Sequence, residues 1–180
     1  MLLSGLSVAR EREDGTFDMM LMPPASSLEI LVGKAVVPTV VACLQGGLIF
    51  LVGVLWFGLP FAGSALALGT LVFGFALSFV GLGLAVSAVA KSIQQACVMV
   101  LLILLPTIIL SGLFTSALSM PAWMQAVTVL NPLRYAIIAL RMIYFEGCGL
   151  ADTLHLIWPA ALTGASSMTL AVRLFRSRIV

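Results

Sequence analysis

The chain is a series of long apolar blocks separated by short polar breaks, with one dense polar stretch near its start. Met1–Ala9 is apolar but too short to span a bilayer. It also lacks the basic beginning of a secretory signal, so it reads as the tail of a spanning helix. Four later blocks reach the ~20 residues that a helix needs to cross the hydrocarbon core: residues 35–57, 64–90, 96–118 and 153–172. The turn 58–63 is short, so the first two are antiparallel neighbours. Lys91-Ser92-Ile93-Gln94-Gln95 separates the second from the third. The pattern predicts an all-α, polytopic helical membrane protein with four full transmembrane helices. It adds a cytoplasmic interfacial helix pair and an outer-leaflet re-entrant helical hairpin.

Within the blocks, polar and small residues are few and placed. Pro38 kinks the entry of the first span; Gln45 lies beside Gly46-Gly47. The second span carries small-xxx-small pairs at Gly74/Ser78, Gly81/Ala85 and Gly83/Ser87. Such pairs let backbones approach where lipid supplies no hydrophobic drive, so they read as packing surfaces rather than a pore lining. Pro106 bends the third span, and Gly112 lies near its end.

Residues 119–150 are too apolar for an ordinary loop and too interrupted for a span. Pro121 begins a short helix with Trp123 as an interfacial anchor. Asn131-Pro132 is a second start signal, with asparagine as cap and proline at the first helical position. The helix 132–145 places Arg134 and Arg141 on one face, with Leu133, Ala136, Leu140 and Ile143 on the other; Gly147 and Gly149 end it. Two short helices dipping into one leaflet form a re-entrant hairpin. The alternative is an amphipathic helix lying flat on the membrane.

The polar stretch 10–34 holds half of the chain's charged residues. Each would cost roughly 3 kcal/mol or more in hydrocarbon, so the stretch lies in water. Arg10–Asp14 reads as a solvated run, Gly15 as a turn, and Thr16 as the cap of a short helix 17–22 stopped by Pro23-Pro24. Ser26 and Glu29 form a capping box that opens a second helix. The arrangement has the form of a docking surface against the membrane.

Composition agrees. The chain is 62% hydrophobic and 9% charged, against about 25% charged in soluble domains, with a mean hydropathy of +1.20. A net charge of +2 gives no footprint for nucleic acid. Cys43, Cys97 and Cys148 have no metal-ligand spacing, and His155 stands alone among histidines at the start of its block, so both read as structural. With four spans, Arg10, Arg12, Lys34, Lys91, Arg173, Arg176 and Arg178 share one side, which the positive-inside rule makes cytoplasmic. Arg134 and Arg141 fall outside and break the rule, which implies work there on lipid phosphates or an acidic partner.

Two motifs carry a resemblance. Glu11-Arg12-Glu13-Asp14-Gly15-Thr16, followed by Pro24, Glu29 and Gly33-Lys34, resembles the cytoplasmic segment of ABC-2 type permeases, the membrane subunits of one class of ABC transporters. Asn131-Pro132-Leu133-Arg134-Tyr135, with Arg141, resembles that family's motif before the final span. The likeness covers almost the whole chain, but only the C-terminal half of a six-span permease. A truncated or split subunit, or a non-transporting fragment, therefore stays open.

The resemblance implies an exporter in the cytoplasmic (inner) membrane with a cytoplasmic C-terminus, moving a drug-like, lipid-linked or polysaccharide cargo. Two permease copies, identical or not, would sit on two ABC ATPase subunits that hold the ATP. Residues 10–34 would be the coupling segment, with Glu11, Arg12, Glu13, Gly15, Thr16 and Glu29 facing the ATPase, and residues 35–180 the transmembrane domain. Asn131, Pro132, Arg134, Tyr135 and Arg141 would form the outer re-entrant gate.

The chain has no Gly-x-x-x-x-Gly-Lys-[Ser/Thr] segment, so ATP belongs to another chain and no cofactor is expected on this one. No paired carboxylates, His cluster or Ser-His pairing marks a membrane enzyme. A secondary transporter or channel is the other class. Its ionisable residues would be expected near the midplane, and these spans are charge-free between their ends.

Overall fold

The computed structural model describes residues 1–15, 27–113, 121–129 and 131–176. Among them every regular element is an α-helix: α1 (Leu2–Glu13), α2 (Ser27–Leu55), α3 (Ala65–Val89), α4 (Ile93–Ile109), α5 (Ala122–Val129), α6 (Pro132–Phe145) and α7 (Leu150–Arg176). Among the described residues, two stretches are long and apolar enough to cross a membrane, Glu29–Leu55 in α2 and Ala65–Val89 in α3. α4 is apolar but shorter, at 17 residues. α7 has the length, at 27 residues.

α3 is the centre of the bundle, packing chiefly on α7 and then on α1 and α2. Its small residues are the reason. A Cβ at Gly81 would collide with Ser167 of α7, and Gly164 has Ser78 Oγ only 3.3 Å from where its own Cβ would lie. On another face, Gly83 leaves room for α1, where a Cβ would stand 3.1 Å from the Gly5 nitrogen. The small-xxx-small pairs are therefore helix-packing seams. One core, at the charged end, joins Val8, Leu31, Ala35, Leu84, Ala88 and Ala171. A second, at the other end, joins Ala67, Leu68 and Leu71 of α3 to Ala139 and Ile143 of α6.

The helix expected at 64–90 runs from Ala65 to Val89. Three boundaries differ. α1 runs on through Arg10–Glu13, past the expected helix end at residue 9, so that charged run is the last turn of the same helix. α2 is continuous from Ser27 to Leu55, so the expected second interfacial helix is the first turns of one long helix. The reason is that Gly33 and Lys34 are tolerated inside a helix whose Leu31 and Ala35 are buried against α3. The third helix ends at Ile109, not 118. Past Ile109 the chain turns, with Ser111 N–H donating to the Ile108 carbonyl (3.2 Å) and Gly112 at φ 83°, a conformation that stops a helix.

The expected helix 17–22, the Pro23-Pro24 break and Ser26 lie outside the described residues, as do the side chains of Trp123 and His155.

Candidate functional site: two polar clusters at opposite ends of the bundle

The first cluster forms where α1 ends. α1 is wedged between α3 and α4, with Ser4, Val8 and Ala9 fully buried. That burial orients the helix and fixes where its charged last turn points. Glu11 Oε1 accepts from Lys34 Nζ of α2 at 2.5 Å, and Lys34 reaches Ser7 Oγ at 3.3 Å. The Lys34 side chain is only 14% exposed and that of Glu11 32%, so this pair is screened less than a surface pair. Glu13 Oε2 accepts the first backbone N–H of α4, from Ile93, at 2.8 Å. Ser92 Oγ accepts from Gln95 N–H at 3.2 Å in the same turn. A carboxylate at a helix N-terminus satisfies an orphan donor and meets the positive end of the helix dipole.

Of the other residues expected here, Arg12 lies in the last turn of α1 and Gly15 follows it at φ 71°. Glu29 is exposed in the first turn of α2. Thr16 lies outside the described residues. Glu11 and Glu13 thus have partners within the chain, which the sequence motif did not reveal. Lys34 carried a signal, the one cation inside an otherwise apolar helix, but nothing in its spacing named Glu11.

The second cluster is the α5–α6 hairpin. Pro121 opens α5, its carbonyl accepting from Met124 and Gln125 N–H. Asn131 caps α6, with Oδ1 accepting from Leu133 N–H at 3.0 Å, and Pro132 takes the first helical position. The same carboxamide donates through Nδ2 to the Thr107 carbonyl of α4 at 2.7 Å. That carbonyl is one of the last four of α4, which have no partner inside their helix. Arg134 Nη1 donates to Thr128 Oγ1 at 2.7 Å, and Tyr135 donates its hydroxyl proton to the Val129 carbonyl at 2.9 Å. Arg134 and Tyr135 therefore bind the two short helices together, Asn131 ties α6 to α4, and Arg141, seven residues beyond Arg134, is exposed. Ala136, Ala139 and Ile143 face inward.

The hairpin is held at its far end by an aromatic triad that periodicity did not anticipate. Phe61 of the α2–α3 turn lies edge-on to Phe50 (4.8 Å between centroids) and to Tyr144 (5.5 Å). Beyond it, Cys148 Sγ lies 4.0 Å from Glu146 Oε2. Partial burial and the nearby Glu146 and Asp152 carboxylates push the Cys148 thiol pKa up. Among the described residues no group of His, Cys, Asp or Glu is placed to hold a metal.

Both clusters lie within the stretch that decides the family, since residues 1–145 match the profile of the ABC-2 type transporter. The chain belongs to the ABC-2 type transporter family. Among its relatives in this family it is 36% identical, over 181 aligned positions, to the probable multidrug ABC transporter permease YbhR of Escherichia coli K12; the alignment takes in 100% of this chain and 49% of the relative. It is 31% identical over 189 positions to the inner membrane transport permease YhhJ of the same organism, covering 99% of this chain and 48% of the relative. With the probable multidrug ABC transporter permease YbhS it shares 35% over 147 positions, 81% of this chain and 39% of the relative. The chain spans about half the length of the curated relatives it matches. No solved structure matches it.

Proposed function

We propose that this chain is the membrane-spanning permease part of an ATP-driven ABC-2 exporter, with ATP hydrolysed on a separate ABC ATPase subunit. The observation that carries the reading is the match of residues 1–145 to the family, with a charged cluster at one end of α3 and a capped helical hairpin at the other. In this reading α2, α3, α4 and α7 are the four spans and α5–α6 is the re-entrant element of the outer leaflet. The C-terminal arginines lie in the cytoplasm, and the protein works as a pair of permease copies in the inner membrane. Arg12, Gly15, Thr16 and Glu29, with Glu11 and Glu13, form the face offered to the ATPase; Asn131, Pro132, Arg134, Tyr135 and Arg141 form the outer gate. Drug-like cargo is favoured by the relatives named as probable multidrug permeases. An apolar cavity of about 700 Å³ between α2, α3 and α7, lined by Phe73, Leu77 and Met168, agrees with it.

The test is co-expression with a candidate ABC ATPase subunit, followed by affinity purification. Glu11→Lys alone breaks the internal ion pair as well as any docking contact. The swap Glu11→Lys with Lys34→Glu restores the internal pair while reversing the charge shown to the ATPase. Loss of the ATPase from both variants supports docking through Glu11. Full recovery in the swap makes Glu11 a purely internal residue. Wild-type chain that never retains an ATPase overturns the proposal as a whole.

A further inference from the structure

α4 is the least embedded of the long helices. Its buried side chains, Ala96 and Val100, lie near its charged end. Ala96 packs with Ala9 and Ala90, and Val100 stands 2.7 Å from where a Cβ on Gly5 would lie. Farther along, Leu101, Leu102, Leu105 and Ile109 are exposed. Side-chain packing therefore holds the first half of α4 more firmly than the second, where Leu104, Thr107 and Ile108 are only half-buried.

Both of its ends are nevertheless gripped by polar side chains from other elements. At the start, the Glu13 carboxylate of α1 holds the Ile93 N–H. Near the finish, the Asn131 carboxamide holds the Thr107 carbonyl while its own oxygen caps α6. Both bonds run to backbone groups that a helix leaves unpaired at its termini, so they lie close to the helix axis and resist motion along it. The two gripped residues are about 21 Å apart at 1.5 Å per residue. Pro106, next to Thr107, removes one backbone bond from the last turn of α4. Asn131 takes hold just beyond that compliant point.

We propose that α4 is a strut clasped at both ends, and that Glu13 and Asn131 are the positioning residues through which a displacement of the charged end moves the α5–α6 hairpin. Axial stiffness makes the helix suitable: its own hydrogen bonds oppose compression, whereas its exposed flank opposes sideways motion little. One carboxamide bonds both α4 and α6, so sliding of α4 pulls on the start of α6. The inference rests on the transport reading only for what the strut would drive.

The experiment is a distance measurement between nitroxides on the full chain in lipid nanodiscs, with Cys43, Cys97 and Cys148 replaced by alanine. One pair, at exposed Leu105 and Ile138, reads α4 against α6; a control pair, at exposed Leu66 and Leu162, reads α3 against α7. Glu13→Ala is expected to broaden the first distribution from the opposite end of α4 and to leave the control unchanged. Glu13→Gln keeps a carbonyl acceptor for Ile93 and should stay near wild type. Asn131→Asp keeps the cap on Leu133 N–H but loses the donor to Thr107, so it should broaden the first pair while α6 remains helical. Adding Glu13→Ala to Asn131→Asp should broaden it no further. An unchanged Leu105–Ile138 distribution in Glu13→Ala, additive broadening in the double variant, or an equal change in the control pair would each overturn the strut. The distances are read without ATPase, ATP or cargo. Their failure leaves the transport reading standing, and a failure to retain an ATPase leaves the strut standing.

Discussion

Ser87 Oγ accepts hydrogen bonds from two successive backbone groups of α1, Val8 N–H at 2.9 Å and Ala9 N–H at 3.1 Å. One turn earlier on α3, Gly83 has no space for a side chain, because a Cβ would stand 2.5 Å from the Met1 carbonyl oxygen. Together they set how closely α1 lies on α3, and through α1 the position of Glu11 and Glu13.

Gly83→Ala should therefore displace α1. The obstructing Met1 and Gly5 atoms are backbone, so side-chain rotation alone does not relieve the clash. A loss of about 1–3 kcal/mol is expected, as for overpacking of a dense core. Equilibrium unfolding in mixed micelles measures it, and Gly69→Ala, whose Cβ meets nothing, serves as the neutral control.

The Lys34–Glu11 pair should respond unequally to loss of either partner. Lys34 is the less exposed of the two, so Glu11→Ala strands the more deeply placed charge. About 2 kcal/mol of destabilisation is expected from Glu11→Ala and about 1 kcal/mol from Lys34→Met, between the values for exposed and buried pairs. The same unfolding measurement, with ionic strength varied, checks the order.

Thr128 is fully buried and joins the two hairpin helices through Arg134. Thr128→Val keeps its volume but removes the acceptor. About 1 kcal/mol should be lost locally, seen as faster amide exchange in α5 and the start of α6 with little change in α3.

Cys148 should be a slow thiol. Partial burial, Glu146 and Asp152 all raise its pKa, which lowers the thiolate fraction at neutral pH. Its maleimide rate should lag that of a free peptide cysteine at pH 7 and keep rising with pH beyond the range where the peptide levels off. Glu146→Gln should accelerate labelling at pH 7, which stopped-flow labelling of the reconstituted chain would show.

The chain displays its apolar helices openly because length and hydropathy are properties of single segments. Ala65–Val89 was placed within a residue for that reason, and so was the start of α6, since Asn131-Pro132 fixes both a cap and a backbone angle locally. What stayed hidden depends on pairs distant in sequence. Glu11 and Lys34, Glu13 and Ile93, and Asn131 and Thr107 each meet only after folding. The end of α4 was missed because apolar residues continue past it, so hydropathy carries no stop where Gly112 turns the backbone. The charged motif marked the right neighbourhood but showed nothing of its internal bonds.

The seam between α3 and α7 has a further consequence. The Ser78 hydroxyl lies against the Ala160 carbonyl, Thr163 Oγ1 lies 3.3 Å from it, and Ser167 Oγ donates to the Ser78 carbonyl at 3.3 Å. Shifting one helix by a single turn, about 5.4 Å, would break all three cross-helix contacts and leave each hydroxyl bonded only within its own helix, to the carbonyl of Gly74 for Ser78, Pro159 for Thr163 and Gly164 for Ser167. Those contacts, on top of the closest helix packing in the fold, hold the two helices in one axial register, so sliding between them is the costliest displacement open to the bundle.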